Sequence, residues 1–342
     1  MESREREGRV SWSVVRRSGA AAVGSTGLVR IRDKKGAVGV SMQSAEHEKH
    51  LARRGTIGAA TQIGTEVSIN LGSALAGVVM PVVGATVVVA VRQIVMTLVL
   101  LPVYRPKRAE LSWARLWPAV ALGVVLAVMN LSFYASVHII GLGLAATIEF
   151  LGPLALALAV SRRLLDVLCA LAAGVGVVLL TGLDGTVDPW GIALALIAGA
   201  AWAGYILLTR KVALGLPGLE GLTVASIVSL VLLIPAAAFA FDPSVLTLGV
   251  VGLLLAIGVL SSALPYSLDT FILRRVDTRV YAIITACGPA IAALFGWMIL
   301  GEQFSGMQIF AIALVCAAAA TAVATQRRSP ASDLERTAEA QH

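Results

Sequence analysis

The sequence predicts an all-α membrane protein of about ten transmembrane helices arranged as two inverted five-helix repeats. Three observations lead there: the composition, a train of apolar runs of helix-spanning length, and a motif that recurs in the second half of the chain. Of the 342 residues, 58% are hydrophobic and only 14% charged, with a net charge of +7. The mean hydropathy is +0.86. Soluble domains run nearer to half apolar and a quarter charged, and would have nowhere to bury this much Ala, Val, Leu and Ile. A lipid bilayer accepts it as solvent.

The apolar runs cover roughly 57–80, 84–103, 116–136, 139–160, 164–182, 190–209, 221–241, 246–268, 280–300 and 304–325. About 20 residues of helix cross a hydrocarbon core of ~30 Å. The breaks between runs alternate in charge. Arg105, Lys107, Arg108 and Arg115 fill one, and Arg162 with Arg163, Arg210 with Lys211, the trio Arg274, Arg275 and Arg279, and Arg327 with Arg328 fill every second break after it. The intervening breaks carry His138, Asp184, Asp188, Asp242 and Glu302, without Lys or Arg. Basic residues mark the cytoplasmic side, so ten spans place both termini in the cytoplasm.

The organisation that follows is a disordered basic cytoplasmic tail over 1–54, a first five-helix repeat over 55–182, a second over 190–325, and a cytoplasmic C-terminal tail over 326–342. Met42 would begin a chain of more usual shape. The basic charge has no continuous face interleaved with aromatics, which excludes a nucleic-acid partner. Cys169, Cys287 and Cys316 lie in apolar runs without metal-ligand spacing and read as small hydrophobes, so no metal is expected. The glycine strings GLGL (141–144) and GVGV (174–177) lack the strand, acidic residue or Walker lysine of a nucleotide site, and no cofactor is expected.

The recurring motif joins GLGLAATIEFLGPLALAL (141–158) to DTRVYAIITACGPAIAAL (277–294), in the fourth run of each half. Ala146, Ile148, Gly152 and Pro153 match Ala282, Ile284, Gly288 and Pro289. Five spans is an odd number, so the halves insert in opposite senses, the pattern of many secondary carriers. Each proline lacks the N–H owed to the carbonyl four residues back, at Glu149 and at Thr285. Two readings stand: hinges that expose a carbonyl and a polar side chain to a wet cavity, or packing kinks where Gly152 and Gly288 admit a neighbour.

Arg92 and Glu149 are the ionisable side chains deepest in well-formed spans. A charge at mid-bilayer costs roughly 2.5–3.5 kcal/mol on insertion scales, so each implies a partner or a function. Either they pair as a structural salt bridge, or a zwitterion sits between them, its carboxylate on Arg92 and its ammonium, or a coupling proton, on Glu149. Gln62, Glu66, Asn70 and Ser73 form a polar stripe on the first span. Asn70 and Ser73 reach the depth of Arg92 and are expected at a substrate, with helix–helix hydrogen bonding as the other reading. Gln62 and Glu66 fall nearer the cytoplasm, where a solvated role is expected. Asn130, Trp202, Tyr205 and Thr285 complete the expected lining, whereas Tyr134 is assigned to the interfacial belt and Ser262 and Tyr266 approach the cytoplasmic end of the eighth span. Glu302 is expected at the outer mouth as a cap or surface charge.

The segments SINLGSALAGVVMPVVGA with VAVRQ (68–93), NLSFYASVHIIGLGLAATIEFLGPLALALAVSRR (130–163), GAAWAGYILLTRK (199–211) and LPYSLDTFILRRVDTR through LGEQFSGMQI (264–309) resemble the EamA-type family of the drug/metabolite transporter superfamily, most of all its threonine/homoserine exporter branch. The resemblance implies a ten-span carrier of a bacterial inner membrane that exports small amino acids and is driven by the proton gradient. Export of a drug, polyamine or other metabolite is the alternative, and an intramembrane enzyme a more distant one. The partners implied are a small-molecule substrate, the lipid bilayer, a coupling proton and, as an open option, a second copy of the chain as a homodimer.

Overall fold

The computed structural model describes residues 37–104, 112–159, 164–181, 187–216, 219–273 and 278–325. The C-terminal tail from 326, residues 1–36 of the N-terminal tail, Asp184, and the basic residues at 105–108, 162–163 and 274–275 lie outside the described residues. Among the described residues every regular element is helical. Helix α1 covers Ala37–Val83, α2 Ala85–Val103, α3 Trp113–Ile140, α4 Leu142–Glu149 and α5 Leu151–Ala159. Then follow α6 Leu164–Thr181, α7 Pro189–Gly215, α8 Glu220–Ala240, α9 Leu248–Gly258 and α10 Leu264–Leu273. The last are α11 Thr278–Thr285, α12 Gly288–Phe295 and α13 Gly306–Thr325.

Among the described residues nine helical segments are long and apolar enough to cross a membrane, with Leu142–Leu156 as a shorter apolar stretch beside them. That stretch is the expected run 139–160, interrupted at Phe150, where α4 stops and α5 starts. The matching run in the second half is interrupted at Ala286 and Cys287, with Pro289 in the first turn of α12. One expectation needs correction. The N-terminal tail is helical from Ala37 onward rather than disordered to residue 54. Its Met, Gln, Ala, Glu, Lys, Leu and Arg are good helix formers even where no apolar stripe announces them.

Glycines make the tightest reversals. Gly84 alone separates α1 from α2 with φ +82°, and Gly141 alone separates α3 from α4 with φ +86°. A side chain at either position would force a left-handed conformation that L residues avoid. The helices pack through small residues, as membrane bundles do when lipid tails are as apolar as leucine. Gly176 of α6 lies against Val315 and the Ala311 carbonyl of α13. Leu168, Leu171, Val175 and Val178, spaced three and four apart on α6, are exposed and present an apolar stripe for lipid.

α3 and α7 run antiparallel. At one end Lys211 Nζ stands 5.4 Å from the Trp117 ring centroid, and Gly215 approaches Arg115. At the other, Ser136 donates to the Gly191 carbonyl at 2.8 Å. Arg115, Arg210 and Lys211 therefore share one end of the bundle. His138 and Asp188 sit at the opposite end, where α3 closes and Asp188 caps α7 through the Trp190 N–H.

Candidate functional site

The site starts from one buried cation. Arg92 of α2 is 6% exposed. Its Nη1 donates to Asn130 Oδ1 of α3 at 2.8 Å, its Nη2 to the Ser261 carbonyl at 2.9 Å, and its Nε to Ser262 Oγ at 3.1 Å. Ser261 and Ser262 belong to a π-helical turn over Val259–Ala263, between α9 and α10. Pro265, four residues on, has no N–H to offer the Ser261 carbonyl, which leaves that carbonyl available across the helix interface. Asn130 is itself oriented by donating Nδ2–H to the Leu126 carbonyl at 2.8 Å. The Tyr134 ring lies 4.7 Å from Arg92 Cζ, and the Tyr134 hydroxyl is 3.1 Å from Ser73 Oγ of α1.

All three hydrogen-bonded acceptors are neutral. A guanidinium has five N–H groups. Two of them are left without an acceptor among the described residues. The salt bridge that the sequence admitted is not formed there either, although Glu149 lies within electrostatic reach of Arg92. Glu149 ends α4, immediately before the interruption.

The interruption itself packs rather than gapes. A Cβ on Gly152 would lie 1.8 Å from the Gly199 carbonyl of α7, and one on Gly199 would lie 2.6 Å from the Glu149 carbonyl. The carbonyl that Pro153 leaves without an N–H thus faces the α7 backbone at a glycine-to-glycine crossing. Trp202, one turn further along α7, meets Phe150 edge-on with ring centroids 5.8 Å apart. Tyr205 packs in the neighbouring cluster with Met96, Leu100 and Leu126.

Of the residues expected at the site, Arg92, Asn130 and Ser73 are brought together, with Glu149 nearby. Asn70 turns back on its own helix, donating to the Glu66 carbonyl at 2.9 Å. Thr285 sits in a separate cluster, accepting from Gln62 Nε2 at 3.2 Å. Three assignments are corrected. Tyr134 is not interfacial but 1% exposed and stacked on Arg92. Ser262, expected near the cytoplasmic end of its span, is 2% exposed and accepts from Arg92. Gln62 and Glu66, expected in a solvated zone, are 1% and 8% exposed. The common cause is rotation about the helix axis, which depth counting does not see. The visible signals in VLSSALPYS were the adjacent serines inside an apolar run and Pro265, whose missing N–H is owed to the Ser261 carbonyl.

Glu302 has a definite place outside the spans. Its Oε1 accepts from the Leu142 N–H and its Oε2 from the Gly143 N–H, the latter at 3.1 Å. It thereby caps α4, whose N-cap Gly141 has no side chain to do so. Burial pushes its carboxyl above the ordinary glutamate value, against the opposing pull of the Leu142 and Gly143 N–H groups.

Residues 189–324 match the EamA-like transporter family. The threonine/homoserine exporter RhtA of Salmonella typhimurium strain LT2 is 38% identical over 266 residues, spanning 77% of this chain and 90% of that protein. The Escherichia coli K12 protein of the same name is 36% identical over 264 residues, spanning 76% of this chain and 89% of its own length. A crystal structure of a protein 20% identical in sequence superimposes with a TM-score of 0.55, covering 80% of this chain and 99% of that one, a likeness of fold. With its helical membrane-spanning architecture and relatives matched over nine-tenths of their length, the chain belongs to the EamA-like transporter family and is a multi-pass membrane transporter.

Proposed function

We propose that the protein is a secondary active exporter of small amino acids of the threonine and homoserine class, working by alternating access and coupled to the proton gradient. One observation carries this reading: a buried guanidinium held by neutral oxygens on α3 and on the π turn, with two N–H groups left over. Such a cation is positioned without being neutralised by its hydrogen bonds, and a carboxylate is the complementary ligand. Glu149, within electrostatic reach, takes the substrate ammonium. The relatives named as threonine/homoserine exporters support the substrate class. A polyamine has only ammonium groups and would meet Arg92 as a like charge, which favours the amino acid over that alternative.

Orientation follows the charge. Arg115, Arg210 and Lys211 share one end of the bundle, while Asp188, His138 and Glu302 mark the other. Basic ends face the cytoplasm, and with ten crossings both termini would lie on that side of a bacterial inner membrane. The two interrupted helices, α4–α5 and α11–α12, are the proposed hinges, at Gly152 with Pro153 and at Gly288 with Pro289.

The test uses purified protein in liposomes loaded with threonine, measuring exchange against labelled threonine outside. Wild type is expected to exchange threonine and homoserine, and Glu149→Gln to lose at least tenfold in exchange while reaching the membrane in equal amount. Exchange by Glu149→Gln at the wild-type rate would remove the carboxylate from the substrate site. No exchange of either amino acid by wild type would refute the substrate class.

A further inference from the structure

A second polar cluster lies apart from Arg92 and joins the two halves of the chain. Gln62 of α1 donates its amide to Glu66 Oε1 at 3.2 Å and to Thr285 Oγ1 of α11 at 3.2 Å. Glu66 Oε2 lies against Gly288, 3.5 Å from where a Cβ would stand, at the first residue of α12. Helix α1 thus presents a carboxylate to the second interruption. Gln62 is 1% exposed, and its Oε1 has no hydrogen-bond partner among the described residues. A buried amide oxygen without a donor is costly, and it stands on the side chain that bonds Glu66.

The two interruptions are built differently. Gly152 meets a glycine backbone in α7, so the first is sealed by main chain. Gly288 meets a carboxylate, so the second is closed against an ionisable group. Any rocking of α11–α12 against α1 changes the surroundings of Glu66, and the charge on Glu66 in turn biases that motion. α11 also carries Tyr281, Cys287 stands in the break, and α10, which follows the π turn packed on Gly72 and Ser68 of α1, carries Tyr266; the side chains of Asp269 and Arg279 on these elements lie outside the described residues. Glu66 is the carboxylate described at the junction between α1 and the interruption.

We propose that Glu66, bonded to Gln62 and seated against Gly288, is the site that carries the coupling proton, separate from the Arg92 substrate site. Glu66 binds one proton when the cavity faces outward and releases it when the cavity faces the cytoplasm, so inward proton movement is exchanged for outward substrate movement. This rests on the exporter reading above for its consequence in transport, but the proton site itself is tested without substrate.

Two measurements decide it. Purified substrate-free protein titrated between about pH 5 and pH 9 is expected to take up about one proton per chain more than Glu66→Gln. Equal uptake by the two proteins overturns the proposal whatever the substrate. In liposomes, Glu66→Gln is expected to keep amino-acid exchange within about threefold of wild type while losing at least tenfold in accumulation driven by a pH gradient. Gradient-driven accumulation at the wild-type level, or equal loss of exchange and accumulation, overturns the separation of the two sites. A wild type that shows the extra proton but exchanges neither threonine nor homoserine refutes the substrate class and supports the proton site.

Discussion

Replacing Arg92 with methionine separates a structural role from a substrate role, because the energies of the two differ. The change removes three hydrogen bonds, at roughly 0.6 kcal/mol each by membrane-protein cycles, or about 2 kcal/mol together. It also removes the stack on Tyr134, worth up to about 2 kcal/mol when desolvated. Against these losses stands the relief of about 2.5–3.5 kcal/mol from no longer holding a charge inside the bilayer. The net change in stability is therefore small, about 1 kcal/mol. Substrate binding is different: two charge-assisted hydrogen bonds to a carboxylate at about 1.5–3 kcal/mol each would vanish without compensation. A loss of 3 kcal/mol is more than 100-fold. The assay is kcat/KM for threonine exchange in liposomes, normalised to folded protein, beside a thermal melt in detergent. Arg92→Met is expected to melt within a few degrees of wild type yet lose at least 100-fold in kcat/KM. Exchange within threefold of wild type, or a loss accounted for by missing folded protein, refutes the substrate role of Arg92.

The neighbours of Arg92 are expected to grade in effect. Tyr134→Phe keeps the ring over the guanidinium and loses only the contact with Ser73 Oγ, about 0.6 kcal/mol, so KM should move less than threefold; Tyr134→Leu should raise it about tenfold. Gly152→Ala should lower folded yield and melting temperature, since its Cβ would lie 1.8 Å from the Gly199 carbonyl; Gly174→Ala, with nothing within 4 Å, should be neutral or slightly stabilising in the same assay. For Glu302, burial raises the carboxyl above its ordinary value in the folded state. Its contribution to stability is then present in full below the unfolded glutamate value and is lost as pH rises through the folded one. Melting temperature in detergent should fall across that window in wild type, and that component should be missing in Glu302→Gln. An identical pH profile for the two proteins would show that the cap at Leu142 and Gly143 is not titrating.

The membrane class and the approximate position of nearly every span were legible because hydropathy and segment length are local properties. A run such as 190–209 must cross or be buried whatever surrounds it, and the structure places α7 over Pro189–Gly215. The interruptions at Phe150 and at Ala286 with Cys287 were legible for the same reason, since Pro153 and Pro289 remove an N–H regardless of context. Arg92 and Glu149 stood out because a charge deep in an apolar run is expensive wherever it points.

What the chain order could not show was which polar groups meet. Tyr134 was misplaced by its distance from a span end, yet a helix rotated to bury it stacks it on Arg92. Gln62 and Glu66 were misplaced the same way and proved to face α11 and α12, more than two hundred residues away. By itself the sequence determined that the chain crosses a membrane as helices, where its helices break, and that two charges lie deep within it. Only the tertiary structure decided that Arg92 bonds to Asn130 and to a π turn rather than to Glu149, and that Glu302 closes the start of α4. The reason is physical: insertion into lipid depends on each segment's own transfer energy, whereas axial rotation and partner choice are set by small residues packing between distant segments.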